Sequence, residues 1–170
     1  LSGYTGTSTL SDFPVLVSLG SSISGFSYNA FLDSDGDGIR TGGDLRFFAA
    51  NGKELSYELA DWNTSGSSQV WVKVPSISGN NTVITAAWGK AGTETTTPDY
   101  ATHDSVWSNG FHSVWHLNKM VSNSLSDSSP NGFHAISVNG AQIGSGQIGK
   151  GIILDGADDY VNLGREAGNP

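Results

Sequence analysis

The first half of the chain alternates between apolar and polar residues with the two-residue period of a β-strand. The earliest such segment is Phe13–Leu19. Pro14 has no amide hydrogen to donate to a neighbouring strand, so this strand is expected at a sheet edge. The residues that share its apolar face are Phe13, Val15, Val17 and Leu19.

Four further segments show the same alternation, and turn-forming pairs separate them. Asn51-Gly52 favours a tight hairpin, and Asn80-Asn81 favours a second turn. Short strands joined by turns predict an all-β, antiparallel, jelly-roll-like β-sandwich, whereas strands alternating with helices would predict a parallel sheet. The four apolar faces are Leu45, Phe47 and Ala49; Leu55, Tyr57 and Leu59; Val70, Val72 and Val74; and Ile84, Ala86 and Trp88.

The pattern changes after residue 89. A segment rich in Thr and Gly, Gly89–Tyr100, reads as a linker or long surface loop. The later apolar pieces are strand-like but too few to close a core, so we expect a first domain over residues 1–99 and the first strands of a second, incomplete β-sandwich over 100–170. We expect its core to be completed by packing on the first sandwich, by the remainder of a parent chain, or by another copy paired along an exposed edge. The later apolar pieces are Val106–Leu117, Phe133–Val138, Ile148–Leu154 and Tyr160–Leu163.

Composition narrows the class of partner and the compartment. The formal net charge is -8, which argues against nucleic acid because phosphate binding needs a basic surface. No apolar run reaches transmembrane length, so membrane insertion is not expected. An acidic, cysteine-free chain rich in Gly, Ser and Thr suits the bacterial cell surface or the extracellular space.

The strongest chemical signal is an acidic loop with the spacing of a calcium site. Calcium prefers six to eight oxygen ligands, which such a loop supplies from its positions 1, 3, 5, 7, 9 and 12. Gly38 stands where the chain must turn sharply. The predicted ligands are the carboxylates of Asp33, Asp35, Asp37 and Asp44, the carbonyl of Ile39, and Thr41, directly or through water.

Two features distinguish this loop from an EF-hand. The last position is Asp44 instead of Glu, and a strand follows where an EF-hand has a helix. The alternative interpretation is an acidic, Gly-rich surface turn. We predict a structural Ca²⁺ that rigidifies the loop.

No catalytic residues are predicted. His112 and His116 are four residues apart, but Ser113 stands where a metalloprotease has Glu. No Gly-x-Ser-x-Gly motif is present, and the acidic residues fall in turns or on outward positions of strands. The group Asp155, Asp158 and Asp159 is interpreted as a turn, with a second cation site as the alternative.

One strand places an aromatic residue on its polar face. Trp71 and Lys73 alternate with the apolar valines, and Arg46 is on the polar face of another predicted strand. An outward Trp beside polar residues can stack a sugar ring, so Trp71, Lys73 and Arg46 are candidate ligand-binding residues. The alternative is that Trp71 packs beneath a loop or against the second domain.

Five motifs occur in order along roughly the first hundred residues. They are Asp12-Phe13-Pro14-Val15-Leu16-Val17, Asp44-Leu45-Arg46-Phe47, Leu55-Ser56-Tyr57-Glu58, Trp62-Asn63 and Val70-Trp71-Val72-Lys73-Val74-Pro75. With these motifs the segment resembles the bacterial domain of unknown function DUF2341. In that family a strand normally precedes the Gly3-Tyr4-Thr5-Gly6 region. The family has no established activity, so the resemblance implies a context, namely large surface, secreted or transport-complex proteins of bacteria.

Three further motifs lie in the later segment. They are Val114-Trp115-His116-Leu117, Asp127-Ser128-Ser129-Pro130-Asn131-Gly132 and Leu154-Asp155-Gly156-Ala157-Asp158-Asp159-Tyr160-Val161. With these motifs the segment resembles the opening of a concanavalin-like, laminin-G-like jelly roll. The resemblance implies a second sandwich whose strands belong to a larger domain.

Together these features favour a non-catalytic, calcium-stabilised module of a bacterial surface or secreted protein that binds a glycan or another cell-surface polymer. Two alternatives remain. The chain is a structural spacer in an adhesin or transport-complex protein, or it is an accessory module of a polysaccharide-degrading enzyme. Binding on a glycan array that depends on Trp71 would separate recognition from a spacer.

Overall fold

The computed structural model describes residues 4–33, 38, 40–89 and 98–164. The chain divides into two compact units, Leu1–Asn109 and Gly110–Pro170, here called the first and second units. The first unit contains β1 Leu10–Leu19, β2 Arg46–Ala49, β3 Tyr57–Asp61, β4 Ser68–Ile77, β5 Ile84–Ala87 and the one-turn helix α1 His103–Val106. The second unit contains β6 Met120–Val121, β7 Ser124–Leu125, β8 Ser137–Asn139, β9 Gln142–Ser145, β10 Lys150–Ile153 and β11 Tyr160–Asn162.

The strands of the first unit form two antiparallel sheets, one ordered β1-β4-β3 and the other pairing β2 with β5. The predicted all-β, antiparallel fold class is confirmed. β1 lies at an edge, as Pro14 predicted, and Pro14 pairs in register with Lys73 of β4.

The apolar faces predicted from alternation meet in the core of the first unit, except at Phe13, which is 43 % exposed. Tyr57, Val70 and Val72 are fully buried, and so are Leu45 and Phe47 of the other sheet. The alternation of β4 appears directly, because its buried residues alternate with half-buried ones from Ser68 to Val74. The remaining buried members are Leu19, Phe31, Leu55, Val74 and Ile77.

The Asn51-Gly52 turn connects the two sheets. The amide of Leu55 donates to Phe47 at 2.8 Å, and the amide of Ala49 donates to Lys53 at 2.8 Å. Gly52 has φ +79°, a left-handed conformation that glycine adopts without strain. Because β2 pairs with β5 while β3 pairs with β4, this turn carries the chain from one sheet to the other.

A third layer covers the outer face of the β1-β4-β3 sheet. Helix α1 contacts β3 and β4, and Val106 and Trp107 are buried. The segment that carries Trp107 therefore belongs to the first unit. The division falls after Asn109, beyond the boundary at residue 99 that the Thr- and Gly-rich segment predicted.

The second unit has short strands and a small buried interior. Its strands pair as β6-β7, β8-β11 and β9-β10. Strands β8, β10 and β11 overlap the last three of the four later apolar pieces of the sequence. Many apolar residues around these strands are nevertheless exposed, Ile136 to 69 %. Its buried apolar residues are Leu125, Ala135 and Ala141. In the part of the chain that the structure describes, no helix has the length and hydropathy needed to cross a lipid bilayer.

Candidate functional site

The predicted calcium loop is described only in part. Asp35, Asp37 and Ile39 lie outside the described residues, so the geometry of these three predicted ligands is not discussed further. Asp33 accepts a hydrogen bond from the Gly38 amide at 3.0 Å and forms an ion pair with Arg40. A cation at this loop would therefore compete with Arg40 for the Asp33 carboxylate.

Asp44, the predicted last ligand, is only 3 % exposed and has partners within the fold. Its carboxylate accepts the amide of Leu32 at 3.3 Å and the amide of Gly89 at 2.5 Å. The side chain thus joins the segment before the loop to the end of β5. Thr41, another predicted ligand, lies three residues before Asp44 and is exposed.

The end of the loop is attached to Trp62. The Trp62 indole donates to the Arg40 carbonyl at 2.5 Å, and its ring lies over Gly42, where an added Cβ would be 2.8 Å from the ring. Gly42 has φ +73°, so the position favours glycine for its backbone as well as for its size. The conformation of residues 40–42 therefore depends on Trp62.

Trp62 belongs to an aromatic cluster that the alternation did not predict. Its ring meets Tyr28 edge to face at 5.3 Å and Phe31 at 5.0 Å. Phe26 contacts Tyr28 at 4.9 Å and Trp88 at 5.4 Å. Such pairs stabilise beyond the area they bury, by about 0.5–1.5 kcal/mol each. The signal in the sequence was the aromatic spacing of Phe26, Tyr28 and Phe31, in a segment without strand periodicity.

A pocket of about 290 Å³ opens beside this cluster. Tyr28 belongs to a three-residue 3-10 turn, capped by the Ser27 hydroxyl, which accepts the Asn29 amide at 3.3 Å. The other wall is the turn between β3 and β4. The pocket is lined by Ser21, Phe26, Ser27, Tyr28, Asn29, Thr64, Ser65 and Gly66.

Trp71, a predicted ligand-binding residue, is half-buried against Trp107. Their ring centroids are 5.2 Å apart at 64°, and the Trp107 indole donates to Glu58 at 2.6 Å. Lys73 donates to the Ser108 hydroxyl at 3.0 Å. The polar face of β4 is thus covered by residues 103–109 of the same unit, the kind of contact expected if Trp71 packs beneath a loop.

Arg46, the third predicted ligand-binding residue, lies in the other sheet, so the sheet topology does not bring it beside Trp71 and Lys73. Its guanidinium donates to the carbonyls of Gly43 at 2.8 Å and Leu45 at 2.7 Å, and it pairs with Glu54 at 3.4 Å.

Two tyrosines lie near Arg46. Burial, the largest cause, raises the pKa of Tyr57 to about 12, and its hydroxyl donates to Leu45 at 2.7 Å. Burial and the hydrogen bond to Glu54 raise the pKa of Tyr100 as well. Both hydroxyls stay protonated at neutral pH and serve as structural donors.

The second unit is organised around the carboxylate of Asp127, which is 1 % exposed. It accepts the amides of Val114 at 2.7 Å, Ser129 at 2.9 Å and Phe133 at 2.9 Å, and the Ser129 hydroxyl at 2.7 Å. Burial by itself raises the pKa of Asp127, but these hydrogen bonds together outweigh it and lower the pKa. Asn131 extends this network by donating to the carbonyls of Phe111 at 3.1 Å and His112 at 2.7 Å.

The histidines of the second unit have structural neighbours. His112 stacks on Phe133 at 4.9 Å, and His134 Nδ1 accepts the Asp127 amide at 3.0 Å.

The carboxylates of Asp155, Asp158 and Asp159 have oxygen atoms within 4.8 Å of one another. Asp155 accepts the Ala157 amide at 2.8 Å, which lowers its pKa, and Asp159 accepts the Asp155 amide at 2.9 Å. These bonds are those of a turn, the interpretation preferred from the sequence.

Residues 41–115 match the family model described as a domain of unknown function, DUF2341. The match supports this domain family for the middle of the chain, and it begins after the first forty residues that the resemblance included. No curated protein and no solved structure matches the chain. The resemblance of the later segment to a concanavalin-like jelly roll stays a prediction.

Proposed function

We propose that this chain is a non-catalytic module of a bacterial surface or secreted protein, and that its first unit binds a glycan or a similar cell-surface polymer. The observation that carries the proposal is the pocket at the turn between β3 and β4, where aromatic rings meet hydroxyl and amide side chains. Small-molecule sites combine apolar walls with a few polar groups that fix orientation, and sugars present both kinds of surface.

The pocket is a better location for this function than the surface around Trp71. The Trp107 ring already packs on the Trp71 ring, with their centroids 5.2 Å apart, and the Ser108 hydroxyl accepts a hydrogen bond from Lys73. A ligand there would have to displace residues 103–109, which include the buried Val106.

Non-catalytic binding is supported by the roles of the groups with shifted pKa values. Tyr57, Asp127 and Asp155 each exchange hydrogen bonds with backbone groups. Tyr100 donates to the Glu54 carboxylate, which also pairs with Arg46. Perturbed pKa values are useful pointers to catalysis only where such structural roles do not account for them.

A glycan array probed with the whole chain tests the proposal. We expect binding to a defined subset of glycans, and we expect a folded Trp71→Ala variant to retain it. Silence across a broad array would favour the structural spacer, and loss of binding in folded Trp71→Ala would return the site to the outer face of β4.

We also propose that Ca²⁺ binds the loop through Asp33, Asp35, Asp37, Ile39, Thr41 and Asp44 and stabilises the first unit. The support is the oxygen spacing in the sequence and the attachment of the end of the loop to the core, through Asp44 and Trp62. Ligand binding to the folded state alone stabilises by about 2.7 kcal/mol at a hundredfold excess over Kd.

Calorimetry with millimolar Ca²⁺ or with EDTA tests the calcium proposal. The melting temperature of the first unit should rise with Ca²⁺ and fall with EDTA, and Asp35→Asn should weaken the response. Asp99→Asn, an exposed carboxylate outside the loop, is the matched control. An unchanged melting temperature in both buffers would overturn the proposal.

The exposed apolar surface of the second unit favours contact with a further partner. Its exposed apolar residues, such as Ile153 and Leu154, would be stabilised by contact with the rest of a parent chain or with a second copy. Light scattering across a concentration series should detect self-association if a second copy covers them, and a constant monomer mass would exclude the second copy.

A further inference from the structure

We infer that the pocket beside Phe26 and Tyr28 accepts one neutral sugar ring, so that the module recognises a single uncharged pyranose unit of its glycan. This inference rests on the proposed function, because it names the ligand class and the residues of the same pocket. Four properties of the pocket carry it: its unused polar groups, its aromatic wall, its lack of charge and its size.

Unused hydrogen-bonding groups converge on the pocket. Among the described residues, the side-chain polar atoms of Ser21, Asn29, Thr64 and Ser65 have no partner within the protein. Three hydroxyls and one amide can each donate and accept, which matches the mixed donor and acceptor character of sugar hydroxyls. Polar groups of this kind give orientation and specificity to an otherwise apolar contact.

The aromatic wall offers ring surface and little polarity. The Tyr28 hydroxyl is already used, because it lies 3.0 Å from the Leu19 carbonyl and 2.8 Å from the Ser68 hydroxyl, and it accepts the Ser68 amide at 3.0 Å. The part of Tyr28 left for a ligand is therefore its ring. Together with Phe26, it gives the apolar C–H side of a sugar a surface to pack on.

The pocket is held in place before any ligand arrives. Tyr28 joins the end of β1 to the start of β4 through Leu19 and Ser68. In the opposite wall, the Asn63 side chain accepts the Ser65 amide at 3.1 Å, and the Gly66 amide donates to the Asn63 carbonyl at 3.2 Å. Because both walls are fixed, binding loses little additional conformational entropy.

Charge and size define the ligand class. The lining residues include no Lys, Arg, Asp or Glu, so no cation would pair with a uronate, sialate or phosphate group. The net charge of -8 further disfavours an anionic sugar. A volume of about 290 Å³ lies near the lower limit, roughly 300 Å³, of pockets for drug-sized ligands, and this favours one ring over a long oligosaccharide.

The experiment combines the glycan array with NMR titration of the whole chain by neutral hexoses and by hexuronic acids. We expect neutral hexoses to shift the amide signals of Asn29 and Ser65, and uronic acids to leave them unchanged. The double variant Asn29→Ala/Thr64→Ala should weaken binding at least tenfold. Both side chains are exposed, so the fold should survive their truncation.

The matched control is Asn81→Ala, an exposed asparagine in the turn that follows the other end of β4. It should bind as the unmodified chain does. If glycans bind the chain but the double variant binds equally well, the pocket assignment is overturned while the proposed function stands. If only anionic glycans bind, the neutral class is overturned, and if no glycan binds, the proposed function and this inference fail together.

Discussion

The two units use opposite means to hold short strands together. In the first unit, strands of up to ten residues bring Phe47, Tyr57 and Val72 into a continuous apolar core. In the second unit, no strand exceeds four residues among those described, and the buried centre is a carboxylate that ties three backbone segments together. Apolar residues there, such as Ile153, stay largely in solvent.

The difference shows that a β structure can be stabilised either by burying apolar area or by satisfying the hydrogen bonds of a buried polar group. The two kinds of structure are sensitive to different substitutions. An apolar core loses stability in proportion to the volume removed from it. A polar centre fails when one acceptor is lost, because several amides then remain buried without partners. The two units should therefore respond to opposite kinds of substitution.

Truncation of a core side chain should have the largest effect, and only in the first unit. Phe47→Ala removes a ring that is 1 % exposed and should destabilise the first unit by about 4 kcal/mol. Ile153→Ala, at 54 % exposure in the second unit, should cost less than about 1 kcal/mol. Urea denaturation followed by NMR signals assigned to each unit measures both. Equal losses would contradict the contrast between the units.

Loss of the central carboxylate should act on the second unit alone. In Asp127→Asn, one carboxylate oxygen becomes an NH2 group, which faces backbone N–H donors that it cannot accept. This should lower the stability of the second unit by about 3 kcal/mol. Asp158→Asn changes an exposed carboxylate of the same unit and serves as the control. Loss of dispersed NMR signals from residues 110–164 with those of the first unit unchanged is the expected result. A stable second unit in Asp127→Asn would show that its apolar contacts suffice.

The covering layer of the first unit should contribute a smaller, pairwise effect. A double-mutant cycle of Trp71→Ala and Trp107→Ala should give a coupling energy of about 1 kcal/mol, the range typical of edge-to-face aromatic pairs. Denaturation of the four proteins measures it. Strict additivity would mean that residues 103–109 rest on the sheet without support from this pair.

Acid should destabilise the second unit through Asp127. The pKa of Asp127 in the folded state lies below its ordinary value of 3.8, so the ionised carboxylate stabilises the fold. That contribution is fully present above pH 3.8 and is lost as the pH falls through the lowered pKa. Thermal melts monitored by NMR between pH 5 and pH 2 should show the second unit melting earlier once the pH falls below 3.8. A second unit that is insensitive to pH would argue against an ionised Asp127.

The strands of the first unit could be predicted from the sequence because their buried and outward residues alternate regularly. Alternation in Val70, Val72 and Val74 identifies a strand and its buried face without knowledge of its neighbours. The order β1-β4-β3 did not follow, since alternation is equally satisfied by other pairings. The sequence offered a covered Trp71 as an alternative but could not identify what covers it, because the cover depends on a helix of four residues that has no periodic signal.

The second unit and the pocket were harder to predict for a different reason. Asp127 and Asn131 act through hydrogen bonds to backbone groups, which any sequence offers, so their partners are visible only in the fold. Phe26 and Tyr28 sit outside the strands, where no periodicity marks a face. Residue type indicated what these positions could do, and only the fold showed what they contact.

The Asn131 side chain also makes the second unit sensitive to chemical ageing. Asn131 precedes Gly132, and asparagine followed by glycine is the sequence most prone to deamidation. Its amide donates to the carbonyls of Phe111 and His112, whereas the carboxylate formed by deamidation has no proton to donate. Replacement of this amide group by a carboxylate would thus turn two attractions into two repulsions, and storage by itself would loosen the hydrogen-bond network around Asp127 in the second unit.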